Sequence, residues 1–142
     1  MHASAKAGLG ASFNATDASG GTYRVRLDLI IDPATAAGRS TSLKHGRRLV
    51  GVVFTIDAIS GRLRREDAGS LATVVGSDGK TYTPGDSTIA GYAGLRNRHL
   101  NIAQGASATG AVAVQMPAGV TVSTVRWSAA PRSRSTITWP VG

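Results

Sequence analysis

Between Tyr23 and Ile31 the apolar side chains fall at every second residue, with Tyr23, Val25, Leu27, Leu29 and Ile31 on one side and Arg24, Arg26 and Asp28 on the other. A period of two puts successive side chains on opposite faces of an extended backbone, so this segment reads as a half-buried strand. Pro33 closes it, since proline has no N–H to give to a ladder. A chain that opens on such a strand must bury one face of a sheet, and the rest of the sequence has to supply the covering layer.

Arg47 to Ile56 is the strongest apolar run, with Val50, Val52, Phe54 and Ile56 on one face and Leu49, Gly51, Val53 and Thr55 on the other. Apolar character on both faces predicts a central strand covered on each side. Asp57 to Gly69 reads as a charged connection. Leu71 to Val75, then Ser77-Asp78-Gly79-Lys80 and Thr81-Tyr82-Thr83, predict a hairpin around an Asp-Gly turn. Pro84 to Arg96 is Gly-rich and polar and reads as a long loop, followed by a brief strand near His99 to Ala103.

Thr109 to Met116 and Val120 to Trp127 read as an antiparallel pair joined by Pro117-Ala118-Gly119. In the second segment the apolar phase shifts from Val120 and Val122 to Val125 and Trp127, which predicts a bulge. Arg132 to Trp139 is a last strand with Ile137 and Trp139 on one face. No long segment carries the i, i+3, i+4, i+7 spacing of an amphipathic helix. Seven to eight short strands with regular turn signals predict an all-β antiparallel sandwich.

The 142 residues suit one domain with a two-layer core. Residues 1–21, rich in Ala, Ser and Gly, are expected to be a flexible N-terminal lead-in, and 22–142 the folded domain. The lead-in has no apolar h-region and is not an intact signal peptide. With 18 Gly and 5% aromatic residues, the core must be mostly aliphatic and the turns glycine-filled. There is no cysteine, which excludes a disulfide framework and thiolate chemistry. No apolar run is long enough for a transmembrane helix. Sixteen Lys and Arg against eight Asp and Glu give a net charge of +8, a surface that attracts polyanions such as nucleic acid, anionic wall polymer or lipid headgroups.

Val25 to Ile31 ending in Asp32-Pro33-Ala34-Thr35, then Gly46 to Ile56, then Val74-Val75-Gly76-Ser77-Asp78-Gly79-Lys80-Thr81-Tyr82, together resemble a bacterial extracellular immunoglobulin-like domain family of unknown function. Ile102-Ala103-Gln104-Gly105, Met116-Pro117-Ala118-Gly119 and the Val125 to Trp127 strand extend the resemblance to roughly Tyr23 to Trp139. It implies an immunoglobulin-like sandwich from an exported protein or lipoprotein of actinobacterial type, extracellular or attached to the cell envelope. It also implies similarity in fold to a secreted mycobacterial immunoprotective antigen. The chain departs from the family in its basic charge and in Asp57-Ala58-Ile59-Ser60-Gly61, where an Asn-Thr-Gly is common. The resemblance transfers no catalytic residue.

His2, His45 and His99 have no second ligand at a metal-binding spacing. There is no G-x-S-x-G for a serine hydrolase and no phosphate-cradling P-loop. Glu66 is the one glutamate, and Asp28, Asp32 and Asp78 are strand or turn residues, so a paired-carboxylate glycosidase site is not expected. Asp78 and Asp86 do not have the calcium-loop spacing. The expectation is a protein without catalytic residues, cofactor or metal.

The sharpest candidates are cationic. Arg62, Arg64 and Arg65 share a loop, Arg47 and Arg48 start the central strand, and Arg132 and Arg134 lie near the C-terminus. Guanidinium forks suit phosphate or sulfate. Against a binding site stands a solvated surface whose edge charges deter sheet-to-sheet aggregation. The lack of aromatics interleaved with the arginines weighs against nucleic acid. Tyr92, between Gly91 and Gly94, is the one aromatic placed to touch a ligand. The sequence thus predicts a non-catalytic binding module with a protein or anionic wall polymer as partner. The alternative is a polyanion binder working through its arginine loops.

Overall fold

The computed structural model describes residues 10–16, 21–37, 46–65, 68–85, 88–95, 100–128 and 136–141. Ten strands are described: β1 Ser12–Thr16, β2 Thr22–Ile31, β3 Arg47–Ser60, β4 Leu63–Arg65, β5 Ala72–Gly76, β6 Thr81–Tyr82, β7 Leu100–Ile102, β8 Ser107–Pro117, β9 Val122–Ser128 and β10 Thr136–Pro140. The helical content of these residues is a single 3-10 turn at Ala68–Leu71. One sheet has the order β1-β2-β3-β8 and the other β10-β9-β5-β6, while β4 and β7 form a separate two-stranded pair. The fold is an all-β antiparallel sandwich. Strands β2, β3 and β8 correspond in order to A, B and E of an immunoglobulin domain, and β10, β9, β5 and β6 to G, F, C and C′.

The core between the sheets takes Tyr23, Val25 and Leu27 from β2, alternate residues Val50 to Ile56 from β3, and Val112, Val114 and Met116 from β8. Val74, Val125, Trp127, Ile137 and Trp139 face them from the second sheet. Phe54 sits edge-on to Trp127 at a centroid distance of 5.1 Å and tilted to Trp139 at 5.8 Å. Both indoles find acceptors, Trp127 Nε1 giving its proton to the Tyr23 hydroxyl (3.0 Å) and Trp139 Nε1 to the Ala11 carbonyl (3.0 Å). Buried indoles need such partners, and so the few aromatics are spent inside.

The alternation in β2 breaks once. Leu27 pairs with Phe54 and Leu29 with Val53, leaving Asp28 without a cross-strand partner. This bulge flips the phase: Ile30 packs on the main core, Ile31 on a second cluster, and Leu29 is 39% exposed. The strict alternation expected through Ile31 therefore holds to Leu27 only. Strand β3 is central, as expected, but continues four residues further to Ser60, into the stretch expected to be a connection.

The expected pairing of 109–116 with 120–127 is corrected. Strand β8 pairs with β3, and β9 pairs with β5 and β10, so the turn at 117–121 crosses between sheets. Local sequence cannot tell a hairpin from such a crossover, because both need the same short turn. The bulge expected in β9 is present, where Val75 pairs with Thr124 and Gly76 with Val122. Ser12–Thr16, expected to be lead-in, is an edge strand on β2.

The segment from Pro84 to Leu95, expected to be an open loop, is pinned. Gly85 and Leu95 donate backbone N–H groups to Ala113 and Ala111, and Ala111 donates to Ala93, all along the free edge of β8. Ile89 bridges to Ala36 and packs with Leu49, Val53, Ala111 and Ala113 in a second, smaller core on the outer face of the first sheet. This explains why β3 is apolar on both faces.

Candidate functional site

Among the described residues, the candidate arginines do not form one site. Arg47 and Arg48 start β3, whereas Arg62 follows its end, so a 14-residue strand of roughly 40 Å separates them. Arg132 and Arg134 lie outside the described residues, as do His2, His45, His99, Glu66, Asp86 and the side chain of Arg65.

Arg48 is a structural clamp. Its Nε and Nη2 donate to the two oxygens of Asp32 at 2.6 and 2.8 Å, and Nη1 and Nη2 also reach the carbonyls of Pro117 and Val120, each at 2.7 Å. The side chain ties the end of β2 to the crossover between sheets, with four of its five N–H groups engaged. The hydrogen-bonded guanidinium holds the Asp32 carboxyl below its ordinary pKa, and Asp32 raises that of Arg48.

Arg47 is half-buried, donates Nη1 to the Gln115 carbonyl at 3.2 Å and lies 5.9 Å from the centroid of the Tyr82 ring. With Thr81, Tyr82, Thr83, Pro84, Gly85 and Gln115 it borders an open groove of about 430 Å³. Tyr82 is held by the hairpin that the sequence predicted, its hydroxyl donating to the Asp78 carboxylate and Gly79 taking a φ of +80° at the turn. That bond lowers the pKa of Asp78 and raises that of Tyr82.

At the opposite end, Arg64 pairs with Asn101 across β4 and β7, and Arg62 Nη1 donates to Asn101 Oδ1 at 2.8 Å. Directly opposed residues share a face, so Arg62, Arg64 and Asn101 project from one exposed side while Leu63 and Ile102 point inward. A groove of about 480 Å³ runs beside them, lined by Arg62, Leu100 to Ala103 and Ala106 to Ala108. Among the described residues neither arginine is paired with a carboxylate.

Tyr92 is partly buried and packs against the second core.

Sequence reasoning missed a polar patch on the outer face of the first sheet. Arg24, Asp57 and Ser107 lie in one cross-strand row, and Arg26, Thr55 and Thr109 in the next, with Asp28 beside them at the bulge. Arg24 bonds Asp57 at 3.1 Å, Ser107 also donates to Asp57, and Asp28 accepts from Arg26 and Thr55. The Ser107 hydroxyl, then Arg24, hold Asp57 below its ordinary pKa, while Asp28 raises that of Arg26. These two arginines are neutralised locally. The alternation of β2 placed them outward, but the register that opposes Arg24 to Asp57 is a tertiary fact.

Among the described residues, every buried side-chain nitrogen and oxygen has a hydrogen-bond partner, and no three His, Cys, Asp or Glu residues gather to hold a metal. Within the same residues no helix is long and apolar enough to cross a membrane.

Neither a protein-family model nor a curated protein sequence matches the chain. Solved structures do match in fold. The secreted protein MPT63 from Mycobacterium tuberculosis is similar with a TM-score of 0.70 and 17% identity, over 99% of this chain and 98% of that one. The yjhA protein of Bacillus subtilis has a TM-score of 0.61 at 10% identity, covering both chains fully. An uncharacterized β-sandwich protein of Clostridium difficile has 0.57 at 10% identity, over 96% of this chain and 93% of that one. The fold resembles that of the secreted mycobacterial protein and the clostridial sandwich.

Proposed function

We propose that this protein is a non-catalytic, exported immunoglobulin-like binding module that takes an anionic cell-wall polymer on the exposed face of β4 and β7. The observation that carries this reading is the projection of Arg62 and Arg64 from one side of that pair beside a 480 Å³ groove. Forked donors on adjacent positions suit a repeating phosphate or carboxylate, and no carboxylate of the described residues competes for them. Likeness in fold to a secreted protein supports an extracellular setting. Nucleic acid is the weaker partner, because among the described residues no aromatic lines this groove to stack a base.

The test is retention on immobilised wall polymer and on single-stranded DNA across a salt series, for the parent and an Arg62→Ala/Arg64→Ala variant. Expected are stronger retention on wall polymer, a steep fall with salt, and loss in the variant. Equal weak retention of parent and variant would sink the reading and direct the search to protein partners. Tighter retention on DNA would replace the wall polymer by nucleic acid.

A further inference from the structure

The groove at the other end of β3 has a different chemistry. Its lining contains one guanidinium, one half-buried phenol ring, the buried Pro84 and the exposed Thr81 and Thr83, and among the described residues no acidic side chain. About 430 Å³ lies in the range of small-ligand sites. We propose that this groove is a binding site for a carboxylated sugar unit of the uronic acid type, with the carboxylate on Arg47 and the sugar ring against Tyr82.

Three features select that class. First, the Gln115 carbonyl takes one N–H of Arg47. Among the described residues the rest of the fork has no hydrogen-bond partner, which leaves donors for one planar, singly charged group rather than a doubly charged phosphate that would recruit further cations. Second, Tyr82 is fixed by its bond to Asp78, and Arg47 lies over the ring, so charge and apolar platform are set side by side before a ligand arrives. An apolar ring face and a rim of hydroxyls fit a sugar, which presents C–H groups on one face and hydroxyls at its edge. Third, a peptide carboxylate would seek backbone N–H donors, and the Gly85 N–H is already given to Ala113 at 3.0 Å. The site does not depend on the β4–β7 face.

The experiment is titration of the labelled protein with glucuronate, glucose, acetate and N-acetyl-alanyl-alanine, followed by amide chemical shifts at residues 81–85 and 115. Glucuronate is expected to bind roughly tenfold or more tightly than glucose or acetate, because each lacks one of the two contacts. Arg47→Gln should weaken glucuronate by roughly tenfold, and Tyr82→Ala, which removes the ring, by a similar factor. Unchanged shifts of Trp127 and Trp139 indoles show that the variants retain the core. The proposal is overturned if glucuronate binds no better than acetate, if the peptide binds more tightly, or if Arg47→Gln binds as the parent does.

Discussion

Two adjacent arginines show how little charge alone says about role. Arg47 and Arg48 are consecutive, yet one borders a groove and the other is held by Asp32 and two carbonyls. Arg48→Ala should therefore cost about 2 kcal/mol in urea unfolding, since it strands an acidic group and two carbonyls that are partly buried. Asp32→Asn should cost about 1 kcal/mol at neutral pH, as expected for a half-exposed pair. Because the folded pKa of Asp32 is lowered, its contribution is present above the ordinary carboxylate range and disappears as pH falls through the folded value. The parent and Asp32→Asn should thus converge in stability toward about pH 2. A difference that persists there would contradict the clamp. Arg47→Ala should leave stability nearly unchanged.

At the level of elements, the segment Pro84 to Leu95 does what a fifth strand would do for the edge of β8. It takes up the free edge with three backbone bonds and seals the second core with Ile89. The fit is tight at two glycines. A Cβ on Gly110 would meet Leu95 Cδ2 and Cγ at 2.7 and 2.8 Å and the Ala93 carbonyl at 3.0 Å, while one on Gly51 would meet Ile89 Cδ1 at 2.5 Å. Leu95 is fully buried and the Ala93 carbonyl is backbone, so neither yields, whereas a terminal methyl of Ile89 has more freedom. Gly110→Ala should cost about 3 kcal/mol and Gly51→Ala about 1 kcal/mol. In hydrogen exchange, Gly110→Ala should selectively speed the Leu95 amide, which bonds Ala111. Equal protection in parent and variant would show that the segment is not held there. In the sequence this stretch reads as a long loop, because its glycines carry no periodicity and its scattered Ile89, Tyr92 and Leu95 mark no face.

For the whole molecule, the resolved carboxylate shifts all point the same way. Asp32, Asp57 and Asp78 are each lowered, by Arg48, by Ser107 and Arg24, and by Tyr82 respectively. The unfolded chain therefore takes up these protons at higher pH than the folded one, and stability should be level above about pH 5 and decline below about pH 4. The net charge of +8 grows on the same descent, so self-repulsion adds to the loss. Thermal midpoints from pH 7 to 3 at low and high salt check this: a fall at low pH that salt partly relieves is expected, and a flat profile would contradict it.

That the chain is an all-β sandwich was legible in its residues alone. The sequence also showed where the central strand begins, where the hairpin turns and that β9 is bulged, because side-chain alternation, β-branching and turn residues act over a few neighbours. Tertiary structure alone decided that β8 and β9 belong to different sheets, that Asp28 bulges and flips the end of β2, and that Ser12–Thr16 joins the edge. It also decided that the arginines divide between opposite ends of β3. Those outcomes depend on which strands pair and in what register, and register is fixed by burying two sheets against each other across long sequence separations, a cooperative choice that no local stretch of residues contains.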